Sequence, residues 1–155
     1  MKICVYGAGA VGGHLAARLA RAGNEVSVIA RGAQLEAIKA RGLSLILGGE
    51  RLTAPVRASA DPAELGAQDV VISTLKAPGL AAVADKIPSL LGRDTPVVFA
   101  LNGIPWWYFH GAPARNTRPD LGFLDPGGAL AKHVGLVVRR HHPRPLDLAM
   151  MGGLI

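Results

Sequence analysis

Apolar runs alternate with helix-like stretches through the first hundred residues of the chain. Short segments rich in Val, Ile and Leu predict strands over 3–6, 25–30, 70–75 and 96–101. The stretches between them predict helices over 10–22 and 32–41, and another from Pro78 to about residue 91. Strands that are apolar on both faces belong in a parallel sheet covered by helices on each side. The pattern therefore predicts an α/β fold with a doubly wound parallel sheet.

Smaller features complete this prediction. Segments 43–47 and 52–58 flank Gly48-Gly49 and predict a hairpin, and Asp61 followed by Pro62 predicts the start of a brief helix. The pattern weakens beyond Gly111, where we expect one or two helical turns over 129–133 and a last strand over 134–138. We predict one domain over 1–138 and an irregular tail over 139–155, as a truncated or frame-shifted reading would give.

The junction between the first strand and the first helix has the sequence GAGAVG, which is a GxGxxG motif. In dinucleotide-binding sites the first glycine allows a tight turn, the second lets the backbone approach a pyrophosphate, and the third lets helix and strand pack closely. A purely structural glycine turn is the alternative, but the strand–loop–helix–strand context favours a Rossmann-type dinucleotide-binding domain. The candidate phosphate-binding residues are Gly7, Ala8, Gly9, Ala10, Val11 and Gly12.

The end of the second strand indicates which dinucleotide binds. NAD-binding domains carry an Asp or Glu there that accepts hydrogen bonds from the ribose, whereas a 2′-phosphate excludes this carboxylate. The strand reads EVSVIAR, with Arg31 at its carboxyl end and Glu25 at the other. A guanidinium group can hold a phosphate through paired hydrogen bonds. Although Arg31 could be an ordinary surface arginine, the sequence favours NADP over NAD.

Two further polar residues follow predicted strands at the same edge of the sheet. Lys76 comes after the strand over 70–75, and Asn102 comes after the strand over 96–101. Both positions overlook the nicotinamide half of a dinucleotide lying across the sheet. Position alone also permits a surface lysine at a helix start and an Asn-Gly turn residue.

These segments resemble the amino-terminal domain of the ketopantoate reductase (2-dehydropantoate 2-reductase) family. The similar segments are KICVYGAGAVGGHLAARLARAGNEVSVIAR, STLKA around Lys76 and LNGIPWWYFHG around Asn102. The resemblance implies NADPH-dependent reduction of a 2-keto acid, 2-dehydropantoate, to pantoate. It also implies that Arg31 binds the 2′-phosphate and that Lys76 and Asn102 bind the cofactor near the reaction centre.

Members of that family continue into a helical domain that supplies the lysine acting as general acid, and we expect this carboxyl-terminal helical domain to be missing here. We therefore identify no catalytic residue in the chain and expect it to be inactive alone. Two alternatives stay open: a stand-alone dinucleotide-binding regulatory module without catalysis, and another hydroxyacid or imine reductase. A regulatory module does not need Lys76 and Asn102 beside the nicotinamide, whereas a reductase uses both.

Composition and charge limit the partners, metal sites and cellular locations that the sequence allows. The net charge is +6, but basic and acidic residues are interspersed up to His110 without interleaved aromatic residues, which argues against a nucleic-acid partner. The one cysteine, Cys4, lies within the first strand as a small buried hydrophobe, and His141-His142 lack the spacing of a metal site. With neither a signal peptide nor a membrane span predicted, we expect a cytoplasmic protein of undetermined oligomeric state.

The aromatic residues Trp106, Trp107 and Phe109 are expected to pack rather than bind substrate.

Overall fold

The computed structural model of the chain describes residues 1–102, Trp107 and residues 122–134. Its strands are β1 Lys2–Tyr6, β2 Glu25–Ile29, β3 Leu43–Leu47, β4 Glu50–Ala54, β5 Arg57–Ser59, β6 Val70–Ser73 and β7 Val97–Phe99. Its α-helices are α1 Ala10–Arg21, α2 Gly32–Arg41, α3 Ala77–Leu80 and α4 Ala129–Val134. Short 3₁₀ helices cover Pro62–Glu64, Ala81–Val83, Ile87–Leu90, Gly122–Leu124 and Pro126–Gly128.

Five strands form one parallel sheet in the order β5-β2-β1-β6-β7. The order reverses direction at β1, because the chain moves from β1 to β2 and β5 on one side and later to β6 and β7 on the other. This confirms the predicted doubly wound parallel sheet. β3 and β4 form a separate antiparallel hairpin, whose turn contains Gly48 and Gly49 at positive φ, as the sequence predicts.

Two apolar cores lie on opposite faces of the sheet because successive residues of a strand point to opposite sides. On one face Val5 and Val28 pack with Ala16 of α1, together with α2 and the β3–β4 hairpin. On the other face Cys4 and Val71 pack with the apolar side chains of α3, the 3₁₀ helices after it and α4. Both faces of β1 are therefore covered, as its uninterrupted apolar sequence requires.

Proline residues account for two differences from the predicted elements. The predicted strand over 52–58 is two strands, β4 in the hairpin and β5 in the main sheet, separated at Pro55, which lacks a backbone N–H. The predicted helix after Pro78 is α3 followed by two 3₁₀ helices, the second of which has Pro88 near its start. Proline has no N–H to continue a helical hydrogen-bond ladder, so the segment breaks into short turns.

Other boundaries also differ from the predictions. The strand over 70–75 ends at Ser73, and Val134 belongs to helix α4 instead of beginning a strand. The rest of that predicted strand and the tail over 139–155 lie outside the described residues. Val98 of β7 is 49% exposed, so the prediction of a strand buried on both faces is wrong here. Among the described residues β7 pairs only with β6, so it is an edge strand of the sheet. It lies beyond the half of the sheet that α1, α2 and the hairpin cover, and this face of β7 is therefore exposed.

None of the helices in the described part of the chain has the length and apolar character needed to cross a bilayer.

Candidate functional site

The last residues of the five parallel strands form a single row across the sheet. Tyr6 of β1 is in register with Ile29 of β2 and with Ser73 of β6, and the row extends to Ser59 and Phe99 at its ends. The loops that follow all five strands therefore start at one level. Ligands of open parallel sheets bind at this carboxyl edge, next to the strand where the order reverses.

Gly7 makes the turn out of β1. Its φ angle is +102°, a backbone conformation that residues other than glycine rarely adopt. Its N–H donates a hydrogen bond of 3.1 Å to the carbonyl oxygen of Ile29, so the turn begins while the chain is still paired with β2. A Cβ atom at this position would also lie 3.0 Å from a side-chain carbon of Leu75. Conformation and packing together require glycine.

The two later glycines of the motif have opposite surroundings. A Cβ atom on Gly12 would lie 1.8 Å from the carbonyl oxygen of Gly7, so α1 packs against the turn only because the side chain is absent. At Gly9, a Cβ atom would meet no protein atom within 4 Å. The protein's own packing explains Gly12, whereas the space beside the Gly9 backbone is open, so a ligand group can approach it there; we call this open space at the end of α1 the cradle. The residues thus fit the pyrophosphate of a dinucleotide.

The N-terminus of α1 faces this open space. Its N-cap residue, Gly9, has no side chain to cap the helix, and the first turn contains no acidic residue. The first helical hydrogen bond runs from the N–H of Gly13 to the carbonyl oxygen of Gly9 at 2.7 Å. Ala8 is buried, while Ala10 and Val11 are exposed beside the opening. Unpaired N–H groups and the positive end of the helix dipole favour an anion here.

Arg31 lies at the N-terminus of α2, two residues beyond the end of β2. Its side chain is exposed, and the first turn of α2 contains no acidic residue. The pKa of the Tyr6 hydroxyl group is raised, mainly by burial and next by Cys4. The positive charge of the Arg31 guanidinium group acts in the opposite direction and lowers this pKa. The position combines a cation with a first helical turn that has no carboxylate, which suits a phosphate group.

The acidic residues of the neighbouring loop, after β5, are engaged in local structure. Asp61 accepts a 3.0 Å hydrogen bond from the N–H of Ala63 and so caps the 3₁₀ helix that follows. Glu64 accepts a 2.5 Å hydrogen bond from the hydroxyl group of Ser59. Both carboxylates therefore stabilise their own loop.

Lys76 and Asn102 occupy equivalent positions after adjacent strands. Each lies three residues beyond a member of the registered pair Ser73 and Phe99, so both reach the carboxyl edge of the sheet. Both side chains are exposed. The carbonyl oxygen of Lys76 accepts a hydrogen bond of 2.8 Å from the N–H of Gly79, which starts α3 and leaves the ammonium group outside the helix cap.

Two polar side chains that the sequence reasoning missed hold the glycine loop. The hydroxyl group of Thr74 donates a hydrogen bond of 2.8 Å to the carbonyl oxygen of Gly7. The side-chain amide of Gln34, in the first turn of α2, donates to the carbonyl oxygen of Ala8. Each contact joins residues far apart in the chain, and neither residue type at its position has a recognisable sequence signature.

Cys4 does not contribute a reactive thiolate. It is fully buried in β1, as predicted, and burial raises the pKa of its thiol from the ordinary value of 9.0 to about 11, although a hydrogen bond with Ser27 acts in the opposite direction. Among residues 1–102, 107 and 122–134, the structure has no group of three or more His, Cys, Asp or Glu side chains placed to bind a metal ion.

Trp107 packs against the end of β7. Its ring centroid lies 4.9 Å from that of Phe99, with the two planes inclined at 45°. This half-buried ring is used for packing, as expected. Trp106 and Phe109 lie outside the described residues.

A cavity of about 500 Å³ opens at the opposite edge of the sheet. Its walls include Lys2 at the start of β1, Asp69 before β6 and Thr95 before β7. These residues are at the amino ends of the strands, and the N–H of Lys2 donates to Asp69 over 2.8 Å. The cavity is thus remote from the carboxyl edge that carries the glycine loop.

Known proteins are similar to this chain in sequence and in structure. The family described as ketopantoate reductase PanE/ApbA matches residues 3–105. The 2-dehydropantoate 2-reductase of Mesorhizobium japonicum is 55% identical over 138 residues, which cover 87% of this chain and 42% of that protein. A crystal structure from Ralstonia solanacearum MolK2, of a protein assigned as a ketopantoate reductase, is 49% identical with a TM-score of 0.77, and covers 86% of this chain and 41% of that one.

A third similar protein has a different name. The ternary structure of D-mandelate dehydrogenase with NADH and anilino(oxo)acetate is 35% identical, with a TM-score of 0.61. The similarity covers 67% of this chain and 34% of that one.

The fold and the glycine loop define a Rossmann-type dinucleotide-binding domain. More specifically, the chain belongs to the ketopantoate reductase PanE/ApbA family. It spans 42% of the Mesorhizobium japonicum protein and 41% of the Ralstonia solanacearum one.

Proposed function

We propose that the chain is the NADPH-binding part of a 2-dehydropantoate 2-reductase, which reduces 2-dehydropantoate to pantoate. The observation that carries the proposal is the open cradle at Gly9, beside the uncapped N-terminus of α1 and one strand away from Arg31. Similarity to a named 2-dehydropantoate 2-reductase over 87% of the chain supports the reaction.

In this proposal the pyrophosphate and the 2′-phosphate of the cofactor meet different parts of the chain. The N–H groups of the loop over 7–12 and of the first turn of α1 bind the pyrophosphate, since they are backbone donors aimed at an anion. The guanidinium group of Arg31 binds the 2′-phosphate by charge-assisted hydrogen bonds. A carboxylate at the position of Arg31 would repel that phosphate, and the loop has none.

Lys76 and Asn102 serve the nicotinamide half. They follow β6 and β7, on the other side of β1 from Arg31, as required for a cofactor that lies across the carboxyl edge. The bound cofactor supplies a hydride to the keto carbon. The ammonium group of Lys76 attracts a carboxylate or holds the cofactor, and the amide of Asn102 orients the substrate or the ribose.

Reduction of a ketone also needs a proton for the developing alkoxide. By family resemblance, the lysine that provides it belongs to a second, helical domain. We therefore propose that the 155-residue chain binds the cofactor without turning over the substrate.

A second candidate is reduction of another 2-keto acid with NADH, which the similarity to D-mandelate dehydrogenase favours. Arg31 distinguishes the two candidates because only NADPH carries a 2′-phosphate. Titration of the 155-residue chain with NADPH and NADH, followed by cofactor fluorescence, tests the proposal. We expect NADPH to bind more tightly than NADH, by about tenfold or more, as a charge-assisted hydrogen bond to phosphate implies. Equal affinities would favour the second candidate.

A further inference from the structure

We propose that Gln34 is a positioning residue for the cofactor's pyrophosphate, acting through the Ala8–Gly9 peptide. This inference rests on the proposed function. Gln34 lies in the first turn of α2, and its side-chain amide donates to the carbonyl oxygen of Ala8, 26 residues earlier in the chain. A carbonyl oxygen can only accept, so the amide nitrogen must be the atom that faces it.

The contact fixes more than one oxygen. A peptide unit is planar and trans, so its C=O and N–H bonds point in opposite directions. Holding the carbonyl of Ala8 therefore sets the direction of the N–H of Gly9, which lies beside the open cradle. Gly9 has φ −67° and ψ −165°, an ordinary extended conformation, so no backbone strain fixes this direction by itself.

The preceding peptide is held from the other side. Thr74 donates to the carbonyl oxygen of Gly7 at 2.8 Å, which sets the direction of the N–H of Ala8. Two consecutive peptide units are thus oriented by side chains from β6's loop and from α2. The same helix begins at Arg31, so Gln34 also joins the glycine loop to the element proposed to bind the 2′-phosphate.

Gln34→Met tests the inference because methionine keeps the length of the side chain and removes the donor. The matched control is Glu36→Met, an exposed position on the same helix. We expect Gln34→Met to weaken the binding of NADPH and of NADH by the same factor, about twofold to tenfold, because one hydrogen bond is lost. The factor is shared because both cofactors carry the pyrophosphate, whereas Arg31→Ala is expected to weaken NADPH alone.

A measurement without cofactor separates positioning from simple loss of stability. In the cofactor-free chain we expect the NMR order parameter of the Gly9 amide to fall from about 0.85 in the wild type toward about 0.6 in Gln34→Met, with the melting temperature nearly unchanged. Unchanged affinities, or a loss confined to NADPH, would overturn the inference. A wild-type chain that bound neither dinucleotide would instead overturn the proposed function, and the order parameter would still show whether Gln34 orients the loop.

Discussion

The hydroxyl group of Thr74 donates a hydrogen bond of 2.8 Å to the carbonyl oxygen of Gly7, joining the loop after β6 to the turn after β1. The backbone N–H of Thr74 also donates to the carbonyl oxygen of Tyr6 at 3.0 Å. The glycine turn is therefore held by a neighbouring strand's loop as well as by its own conformation. This contact crosses the centre of the sheet, where the strand order reverses.

Thr74→Val should destabilise the chain. Valine has nearly the same shape but no hydroxyl group, so a partly buried carbonyl oxygen loses its donor, at a cost of about 1–3 kcal/mol. The free energy of unfolding in urea measures this loss. Thr53→Val is the control, because Thr53 is exposed on β4, and we expect its effect to stay within about 0.5 kcal/mol. Equal stability of both variants would show that the contact adds nothing to the fold.

Substitutions at Gly9 and Gly12 should have different consequences. At Gly9 there is room for a side chain, so Gly9→Val should fold with an unchanged melting temperature and lose NADPH binding, since valine occupies the cradle. Gly12→Ala places a Cβ 1.8 Å from the carbonyl oxygen of Gly7 and should cost about 1–3 kcal/mol or more of stability. Thermal unfolding and cofactor titration of both variants check this. Normal NADPH affinity in folded Gly9→Val would mean that the glycine serves structure alone.

Hydrophobic periodicity predicted the parts of the fold that depend on local sequence. β1, β2 and α1 have strong periods and clear boundary residues, and their predicted limits agree with the structure to within one residue. The hairpin turn follows from two adjacent glycines. The sequence did not predict that segment 52–58 is divided between two sheets, because both halves have strand-forming sequences. The proline between them ends β4, and the chain then enters the main sheet as β5.

The candidate site was predictable only in part. The glycine motif has a fixed spacing, so residues 7–12 and the polar residues after neighbouring strands could be assigned to one edge from topology alone. Gln34 and Thr74 could not be assigned, because each acts through a contact that spans 26 or 67 residues. Polar residues in a helix or after a strand are ordinarily solvent-exposed, so their types give no indication of such contacts.

Arg31→Ala should remove the preference for NADPH. The variant loses the guanidinium group proposed to bind the 2′-phosphate, so NADPH affinity should fall about tenfold or more while NADH affinity stays the same. Fluorescence titration with both cofactors measures the ratio. Arg41→Ala, in the last turn of the same helix, is the control for a general loss of positive charge. A preserved preference in Arg31→Ala would rule out this residue as the 2′-phosphate ligand.

The buried thiol of Cys4 should make the stability depend on alkaline pH. Burial raises its pKa from 9.0 to about 11 in the folded chain, so between these values the unfolded chain loses a proton that the folded chain keeps. Stability should therefore fall as the pH rises above 9, by up to about 1.4 kcal/mol per unit from this group.

Urea unfolding of the wild type and of Cys4→Ala at several alkaline pH values isolates that contribution. The variant should show a shallower decline, although the buried Tyr6, whose pKa is also raised, keeps part of the dependence. Parallel declines in the two proteins would show that Cys4 does not titrate in this range on unfolding.

The last prediction concerns turnover. We expect the 155-residue chain to bind NADPH and to show no measurable reduction of 2-dehydropantoate, because a positioned acid for the developing alkoxide is typically worth about 10²–10⁴ in rate. Activity should appear when the remaining part of the Mesorhizobium japonicum relative is joined after about residue 138, as followed by loss of NADPH absorbance. Robust turnover by the short chain would instead place the acid within it. In that case Lys76→Met should abolish the reaction if the Lys76 ammonium group is the proton donor.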